Sequence, residues 1–357
     1  MSKIISGSLL DEWLQSVATM EASDLHLGAR RRPMMRVSGT LQPLSDATLT
    51  AEQTEEICLG IVPDKKVQEA HDTGSCDFSF EHGADRYRAN VFRQRESWAL
   101  VCRRLPSDRL TFDQIGAPPV LKALAHLPRG LILITGPTGS GKTTTLAALI
   151  HEINMARSEH IITLEDPIEF LHESEKSVVN QREIGEDTTS FSEALRRVLR
   201  QDPDVIMLGE MRDLETTAAA ITAAETGHLV FGTLHTTGAA RTVDRIIDQY
   251  PKESQEQVRA QLSVSLQAVV SQVLVPKVEG GRKGVFEIMV RNSAIENHIR
   301  KGETFKIPSV MQTQRRIGMQ LLDDHLFDLV NDGTLDKDMA LSYAQLPSDL
   351  RQRLSTA

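Results

Sequence analysis

A glycine-rich segment that ends in lysine and threonine carries the clearest chemical signal in the sequence. It follows the apolar run 131–135, precedes a run of helix-forming residues, and reads Gly136-Pro137-Thr138-Gly139-Ser140-Gly141-Lys142-Thr143-Thr144. Glycines let successive backbone N–H groups point at phosphate oxygens, and the N-terminus of the following helix adds the positive end of its dipole. In this pattern the lysine reaches the β- and γ-phosphates of a nucleotide, and the first threonine ligates magnesium. The segment therefore predicts that residues 136–144 bind the phosphates of ATP together with Mg²⁺.

Three further predicted strands each end at a polar residue with catalytic potential. These residues are Glu165, Glu210 and His235. Because ligands of parallel sheets bind at the carboxyl ends of the strands, one acid could hold Mg²⁺ and another could orient or deprotonate the attacking water. His235 could sense the γ-phosphate. Each residue taken alone also fits a helix cap, a solvated charge or an ordinary histidine, but their shared position beside a phosphate loop favours catalysis.

The N-terminal part of the chain carries a dense group of basic residues. They are Arg86, Arg88, Arg93, Arg95, Arg103 and Arg104. If this part of the chain covers the nucleotide edge of the core, guanidinium groups can stabilise charge on the transferred phosphate, and Arg86, Arg88 and Arg93 are the candidates. A solvated face is the alternative. Interleaved aromatic residues also permit a site for single-stranded nucleic acid, although the net charge of −9 argues against a nucleic-acid partner.

The composition is that of a globular protein of the cytoplasm. The 357 residues suggest two domains, and 40% are hydrophobic against 25% that are charged. The longest apolar runs fall far short of the ~20 residues that cross a bilayer, and the N-terminus lacks the apolar stretch of a secretory signal. Cys58, Cys76 and Cys102 are odd in number and widely spaced, which fits a reducing compartment and buried thiols rather than a zinc module.

The pattern of elements predicts an α/β protein with two main parts. An amphipathic helix and several strand-like segments predict a small α+β domain over residues 1–105, and prolines mark a linker over 106–120. Buried-type strands that alternate with helices predict a parallel α/β core over 121–285, and the chain then turns helical over 286–357. The predicted elements are the helix 9–17, the N-terminal strands 34–37, 77–80, 87–92 and 98–102, the core strands 131–135, 161–164, 205–208 and 229–234, and a late helix that uses Met319, Leu322, Leu326 and Leu329 and stops at Gly333.

Taken together, the motifs resemble those of the PilT family of secretion-type motor ATPases, which retract type IV pili. The resemblance covers nearly the whole chain. It includes ASDLHL (22–27), RYRANVFRQR (86–95), GPTGSGKTTT (136–145), TLEDPIE (163–169), DPDVIMLGEMRD (202–213) and GHLVFGTLHT (227–236).

This resemblance implies a PAS-like N-terminal domain, a RecA-like P-loop core and a homo-hexameric ring that hydrolyses ATP. It implies that Lys142 and Thr143 bind phosphate and Mg²⁺, that Glu165 is the catalytic carboxylate, and that Glu210 is the Walker B acid. His235 would be the histidine of the family's His box. The expected partners are a platform protein of the inner membrane and a paralogous pilus motor, so that the protein would lie peripherally at the cytoplasmic face of the membrane.

Two features bear on which motor the chain resembles. Related assembly motors carry a tetracysteine zinc element, whereas no cysteine follows Cys102 here, and this favours retraction. The segment 294–301 is similar to the retraction motif AIRNLIRE but has Glu296, His298 and Lys301 at the differing positions. An accessory motor of the PilU type, a nucleotide-gated binding partner of another motor, and a RecA-like nucleic-acid translocase are the alternatives.

Overall fold

The computed structural model of the chain describes residues 8–37, 39–83, 85–105 and 111–356. The chain divides into two compact units. The first unit extends to Asp108 and includes Glu169–Leu171, and the second comprises Arg109–Ile168 and His172–Ala357. Within the described residues, no helix is both long enough and apolar enough to cross a membrane.

The first unit is built on a six-stranded antiparallel sheet with helices packed against it. Its elements are α1 (Leu9–Thr19), β1 (Asp24–Gly28), β2 (Met34–Val37), β3 (Thr40–Pro43), α2 (Ala51–Ile61), α3 (Val67–Thr73), β4 (Ser75–His82), β5 (Asp85–Gln94) and β6 (Ser97–Leu105). The strand order is β3-β2-β1-β6-β5-β4. Burial alternates along β5 from Tyr87 to Val91, so that one face of the strand packs into a core with Leu14 and Trp98. The predicted helix 9–17 and the predicted strands of this unit are confirmed.

The three cysteines lie in the core of the first unit. Cys58, Cys76 and Cys102 are all buried, and none of these described cysteines forms a disulfide bond. Burial raises the pKa of the Cys58 thiol to about 12, so that the group stays protonated at neutral pH and is a poor nucleophile. The prediction that these residues act as buried apolar side chains is confirmed.

The second unit contains a seven-stranded sheet. Its strands are β7 (Gly130–Thr135), β8 (His160–Glu165), β9 (Val178–Glu183), β10 (Val205–Leu208), β11 (Leu229–Leu234), β12 (Leu266–Pro276) and β13 (Arg282–Val290), in the order β13-β12-β7-β11-β10-β8-β9. All neighbours pair in parallel except β12 and β13, which are antiparallel. Every residue of β7, β10 and β11 is buried, which explains their continuous apolar sequences. The predicted strands of the core are therefore confirmed.

Helices cover the second sheet and also form the part of the chain that follows β13. They are α4 (Phe112–Ile115), α5 (Val120–Ala125), α6 (Lys142–Ala156), α7 (Phe191–Val198), α8 (Leu214–Glu225), α9 (Ala239–Ile247), α10 (Gln255–Ser265), α11 (Ser293–Lys301), α12 (Ile307–Thr313), α13 (Leu322–Asn331), α14 (Lys337–Tyr343) and α15 (Pro347–Thr356). The predicted late helix is α13, with Leu322, Leu326 and Leu329 buried, whereas Met319 precedes it. Gly333 follows with a φ of 79°.

At two of the predicted domain limits, the structure contains helices or strands that the sequence analysis did not predict. Residues 106–110 of the predicted linker lie outside the described residues, and residues 112–115 and 120–125 form α4 and α5, which pack with the core of the second unit. The predicted end of the core at residue 285 lies inside β13, because the chain forms the β12–β13 hairpin before it turns helical.

Candidate active site

The glycine-rich segment forms the connection between β7 and α6, as its sequence predicts. Pro137, Thr138 and Gly139 are exposed at the tip of this phosphate loop, whereas Ser140 is buried. Lys142 is the first residue of α6, and its Nζ donates hydrogen bonds to the carbonyl oxygens of Gly136 at 2.9 Å and Pro137 at 3.1 Å. The lysine side chain therefore folds back over the loop.

The N-terminus of α6 suits an anion. Its N-cap residue, Gly141, has a φ of 90° and offers no side-chain hydrogen bond to the first amides of the helix. Thr143 and Thr144 lie in the first turn of this 15-residue helix. Because the positive end of the helix dipole and the first amides of the helix meet a lysine ammonium here, the site has the donor set that phosphate requires.

A residue that the sequence motifs do not contain fixes this loop from the neighbouring strand. Gln272 of β12 is 2% exposed; its Nε2 donates to the carbonyl oxygen of Ser140 at 2.7 Å, and its Oε1 accepts from the Thr145 hydroxyl at 2.9 Å. The loop also approaches the backbone of β12 closely, because a Cβ on Gly136 would lie 2.2 Å from the carbonyl oxygen of Gln272. Only glycine fits at this position.

Glu210 and His235 lie side by side at the ends of neighbouring strands. Oε1 of Glu210 is 3.0 Å from Nε2 of His235, and its Oε2 is 2.7 Å from the guanidinium of Arg212. Burial disfavours the charged form of Glu210, but the hydrogen bond and charge of Arg212, together with the charges of His235 and Lys142, lower its pKa below the ordinary value. Glu210 is therefore an anion at neutral pH, within electrostatic reach of Lys142.

Glu165 lies at the end of β8, next to β10, and is 4% exposed. The Thr163 hydroxyl donates to its Oε1 at 2.6 Å, and Nε2 of Gln181 donates to the same oxygen at 3.0 Å. Gly209 permits a close approach between the strands, because a Cβ there would lie 3.3 Å from the Cα of Glu165. The carboxylate is thus held in a fixed orientation beside the strand end that precedes Glu210.

The sheet brings the sequence-predicted residues of the core to one edge. Thr135 pairs with Leu234, and Leu208 pairs with both Leu164 and Gly232, so the segments that follow β7, β8, β10 and β11 leave the sheet side by side. The phosphate loop, Glu165, Glu210 and His235 therefore share the carboxyl edge of the parallel strands. In sheets of this type that edge is the ligand-binding edge.

The three candidate arginines lie on β5 of the first unit and differ in their surroundings. The guanidinium of Arg86 is 4.0 Å from Glu81 on β4, and that of Arg93 lies 5.2 Å from the ring centroid of Trp98. Arg88 is exposed and forms no ion pair with any acidic group of the described residues. The side chains of Arg86 and Arg88 share one face of the strand, whereas Arg93 lies on the other face.

The parallel sheet, the phosphate loop and the polar edge define a P-loop nucleotide-binding core. A model of the type II/IV secretion system protein family matches residues 2–280. The chain therefore belongs to the type II/IV secretion system protein family.

Individual relatives match over almost the full length. The type IV pilus retraction ATPase PilT of Pseudomonas aeruginosa is 48% identical over 341 residues, which cover 95% of this chain and 99% of the relative. The type IV pilus ATPase PilU of the same organism is 38% identical over 343 residues, which cover 96% of this chain and 90% of the relative.

A solved structure confirms the predicted fold class. The crystal structure of the pilus retraction motor PilT with bound ADP superposes with a TM-score of 0.91 at 45% identity, covering 96% of this chain and 99% of that one. The ATPase DotB of Legionella pneumophila superposes with a TM-score of 0.78 at 25% identity, covering 98% and 95%. The α/β fold with a RecA-like core and additional N- and C-terminal parts is therefore confirmed.

Proposed function

We propose that this chain is an ATP-hydrolysing motor of type IV pilus retraction, the process that drives twitching motility. One observation carries the proposal. The phosphate loop and the Glu210–His235 pair lie at one edge of the sheet in the second unit. The fold of the chain matches that of a retraction motor over nearly its whole length. An ATPase needs both parts, because the loop holds the nucleotide and the polar groups act on the phosphate and the attacking water.

In this function the phosphate loop binds the nucleotide. The amides at the N-terminus of α6 and the ammonium of Lys142 hold the β- and γ-phosphates, and a phosphate would replace the loop carbonyls that Lys142 contacts at 2.9 and 3.1 Å. Gln272 keeps the loop in shape from β12.

Thr143 and Glu210 are the residues that suit Mg²⁺. A hydroxyl in the first turn of α6 and a carboxylate whose pKa is lowered supply oxygen ligands of the kind that this ion prefers. Bound Mg²⁺ would neutralise charge on the phosphate oxygens. The proximity of His235 and Arg212 to Glu210 holds the carboxylate in one orientation.

Glu165 is the proposed catalytic carboxylate, and His235 responds to the γ-phosphate. A group that orients or deprotonates water needs a fixed position. The hydrogen bonds from Thr163 and Gln181 fix one oxygen of Glu165 in this way. Nε2 of His235 contacts Glu210, so a displacement of His235 by the γ-phosphate would also displace the Glu210 carboxylate. We also propose that Arg86, Arg88 and Arg93 stabilise charge on the transferred phosphate, with Arg88 the best candidate since it has no acidic partner among the described residues.

The assembled form would be a homo-hexameric ring at the cytoplasmic face of the membrane. Its partners would be an inner-membrane platform protein of the pilus and a paralogous pilus motor. The role of principal retraction motor, rather than of an accessory motor, is supported by 48% identity to PilT, against 38% to PilU of the same organism.

The divergent motif 294–301 is compatible with a retraction motor. It forms α11, with Ile295 and Ile299 buried. Glu296 pairs with Arg291 at 2.6 Å, and Nδ1 of His298 lies 3.3 Å from a carboxylate oxygen of Glu303. Because two of the differing residues have local partners, the segment keeps its helical structure with its altered charges.

The experiment combines ATPase activity, solution mass and motility. We expect the purified protein to hydrolyse ATP with Mg²⁺, to show the mass of a hexamer by light scattering, and to restore twitching in a strain without retraction motors. Turnover that needs single-stranded DNA would indicate a translocase. Restoration of twitching only when another retraction motor is present would indicate the accessory role. A pure, assembled protein with no turnover would contradict the motor function.

A further inference from the structure

A single buried carboxylate contacts the N-termini of two helices that are distant in sequence. Glu287 of β13 is 4% exposed. Its Oε1 accepts the amide of Ala239 at 2.7 Å, and its Oε2 accepts the amide of Leu322 at 3.4 Å. Ala239 and Leu322 are the first residues of α9 and α13, and neither helix has a side-chain cap from its own N-cap residue. Glu287 therefore serves as a shared cap for both helices.

The first of these helices begins just after His235. The amide of Gly238, next to Ala239, donates to the hydroxyl of Ser271 at 2.9 Å, and Ser271 is the strand partner of Glu287. Gly238 has a φ of 92°, and a Cβ there would lie 3.5 Å from Oε1 of Glu287. The segment that connects His235 to α9 is thus fixed by the β12–β13 hairpin.

The second helix belongs to the C-terminal region, which is tied to the same carboxylate. Nε2 of Gln345, between α14 and α15, donates to Oε2 of Glu287 at 2.8 Å. The carboxylate of Asp323 accepts the amides of Gln345 at 2.8 Å and Leu346 at 2.7 Å. These residues and Glu287 line a cleft of about 500 Å³ between α9, α12, α13 and α15.

The Glu287 carboxylate links the amide of Ala239 at the start of α9 to the two C-terminal donors, the amide of Leu322 and the side chain of Gln345. Burial raises the pKa of the Glu287 carboxyl, while the hydrogen bonds from Ala239, Leu322 and Gln345 oppose this effect. A buried carboxylate that loses the donors on one side raises the free energy of the folded state. A shift of α13 therefore favours a shift of the Glu287 carboxylate, and with it a shift of the start of α9. Glu287 is thus a physical connection between the C-terminal helices and the segment that carries His235.

We propose that Glu287 is a positioning residue that couples α13 and Gln345 to the Glu210–His235 pair, so that the position of the C-terminal helices regulates ATP hydrolysis. The proposal rests on the proposed ATPase function. Glu287 does not touch the nucleotide in this scheme; it acts through the segment between His235 and Ala239.

The test compares variants by steady-state kinetics and by hydrogen exchange of the amides in 235–247. Glu287→Met keeps the length of the side chain and removes both carboxylate oxygens, and we expect kcat to fall about tenfold or more with KM for ATP within about twofold. Glu287→Gln keeps one acceptor and should lose less. Gln345→Ala removes only a C-terminal donor from an exposed side chain, yet it should also lower kcat and speed exchange in 235–247.

A matched control separates coupling from a general loss of stability. Asp336 caps α14 through the amides of Asp338 and Met339, and Asp336→Ala should lower the unfolding temperature while kcat stays unchanged. Normal kcat and normal exchange in the folded Glu287→Met variant would overturn the proposal, as would an equal fall of kcat in Asp336→Ala. If the unmodified protein hydrolyses no ATP, the proposed function fails, and exchange in Gln345→Ala then decides for or against the coupling.

Discussion

The Thr145 hydroxyl donates a hydrogen bond to Oε1 of Gln272 at 2.9 Å, and this contact joins the first turn of α6 to β12. The same amide group donates to the carbonyl of Ser140, so one buried side chain holds both the end of the phosphate loop and the first turn of the helix. The shape of the phosphate loop is therefore determined partly by a strand that follows it by more than a hundred residues.

Gln272→Leu should weaken nucleotide binding. The change keeps a similar volume but leaves the Ser140 carbonyl and the Thr145 hydroxyl without their partner, and an unsatisfied buried group costs about 1–3 kcal/mol. We expect the Kd for ADP, measured by titration calorimetry, to rise about tenfold. Gln255→Leu, at a glutamine that bonds the carbonyl of Tyr250 instead, is the control. An unchanged Kd in a folded Gln272→Leu variant would show that the loop holds its shape without this contact.

Lys142→Ala should abolish turnover and leave the fold intact. The ammonium donates to the loop carbonyls of Gly136 and Pro137 at the phosphate site, so its loss removes positive charge from that site. We expect binding of ADP to weaken at least about tenfold with an unchanged circular dichroism spectrum. Lys122→Ala, at a lysine paired with Glu152 at 3.3 Å, should bind ADP normally. Normal ATPase activity of Lys142→Ala would refute the phosphate-loop assignment.

Glu165→Gln and Glu210→Gln should separate chemistry from binding. Both carboxylates act on water or metal around a nucleotide that the loop already holds, so we expect kcat to fall about a hundredfold or more while ATP still binds. The Kd for ATP and single-turnover rates give the measurement. Glu193→Gln, on the exposed side of α7, is the control. A pure rise in KM with unchanged kcat would assign these residues to substrate binding instead.

Local patterns in the sequence were sufficient to predict the phosphate loop and four core strands, because those features depend on adjacent residues. The β12–β13 hairpin was missed since Ser271, Gln272 and Glu287 interrupt its apolar pattern, although all three side chains are buried. They are tolerated there because each bonds a distant backbone group: Gly238, Ser140 and Ala239 respectively. Contacts between positions so far apart leave no periodic signal, and only the folded chain brings them together.

The histidine on α13 makes the stability of the C-terminal region dependent on pH. Nδ1 of His325 accepts the amide of Phe286 at 3.1 Å, and the two rings stack with centroids 6.1 Å apart. Burial and the charge of Lys283 lower the pKa of His325 below its usual value of about 6.5, while Asp328 and Asp332 act in the opposite direction. A protonated Nδ1 could not accept the amide, so the neutral form belongs to the folded state.

We therefore expect His325 to stabilise the fold above about pH 6.5 and to lose this contribution as the pH falls. Between the lowered pKa of the folded state and the ordinary pKa of the unfolded state, the unfolded chain binds more protons, so stability rises with pH. Thermal unfolding between about pH 5 and 8 should show this dependence, and His325→Asn, which keeps an acceptor but does not titrate, should show less of it. The other histidines are common to both proteins, so the difference between the two curves isolates His325. Parallel curves would mean that His325 has the same pKa in the folded and unfolded states.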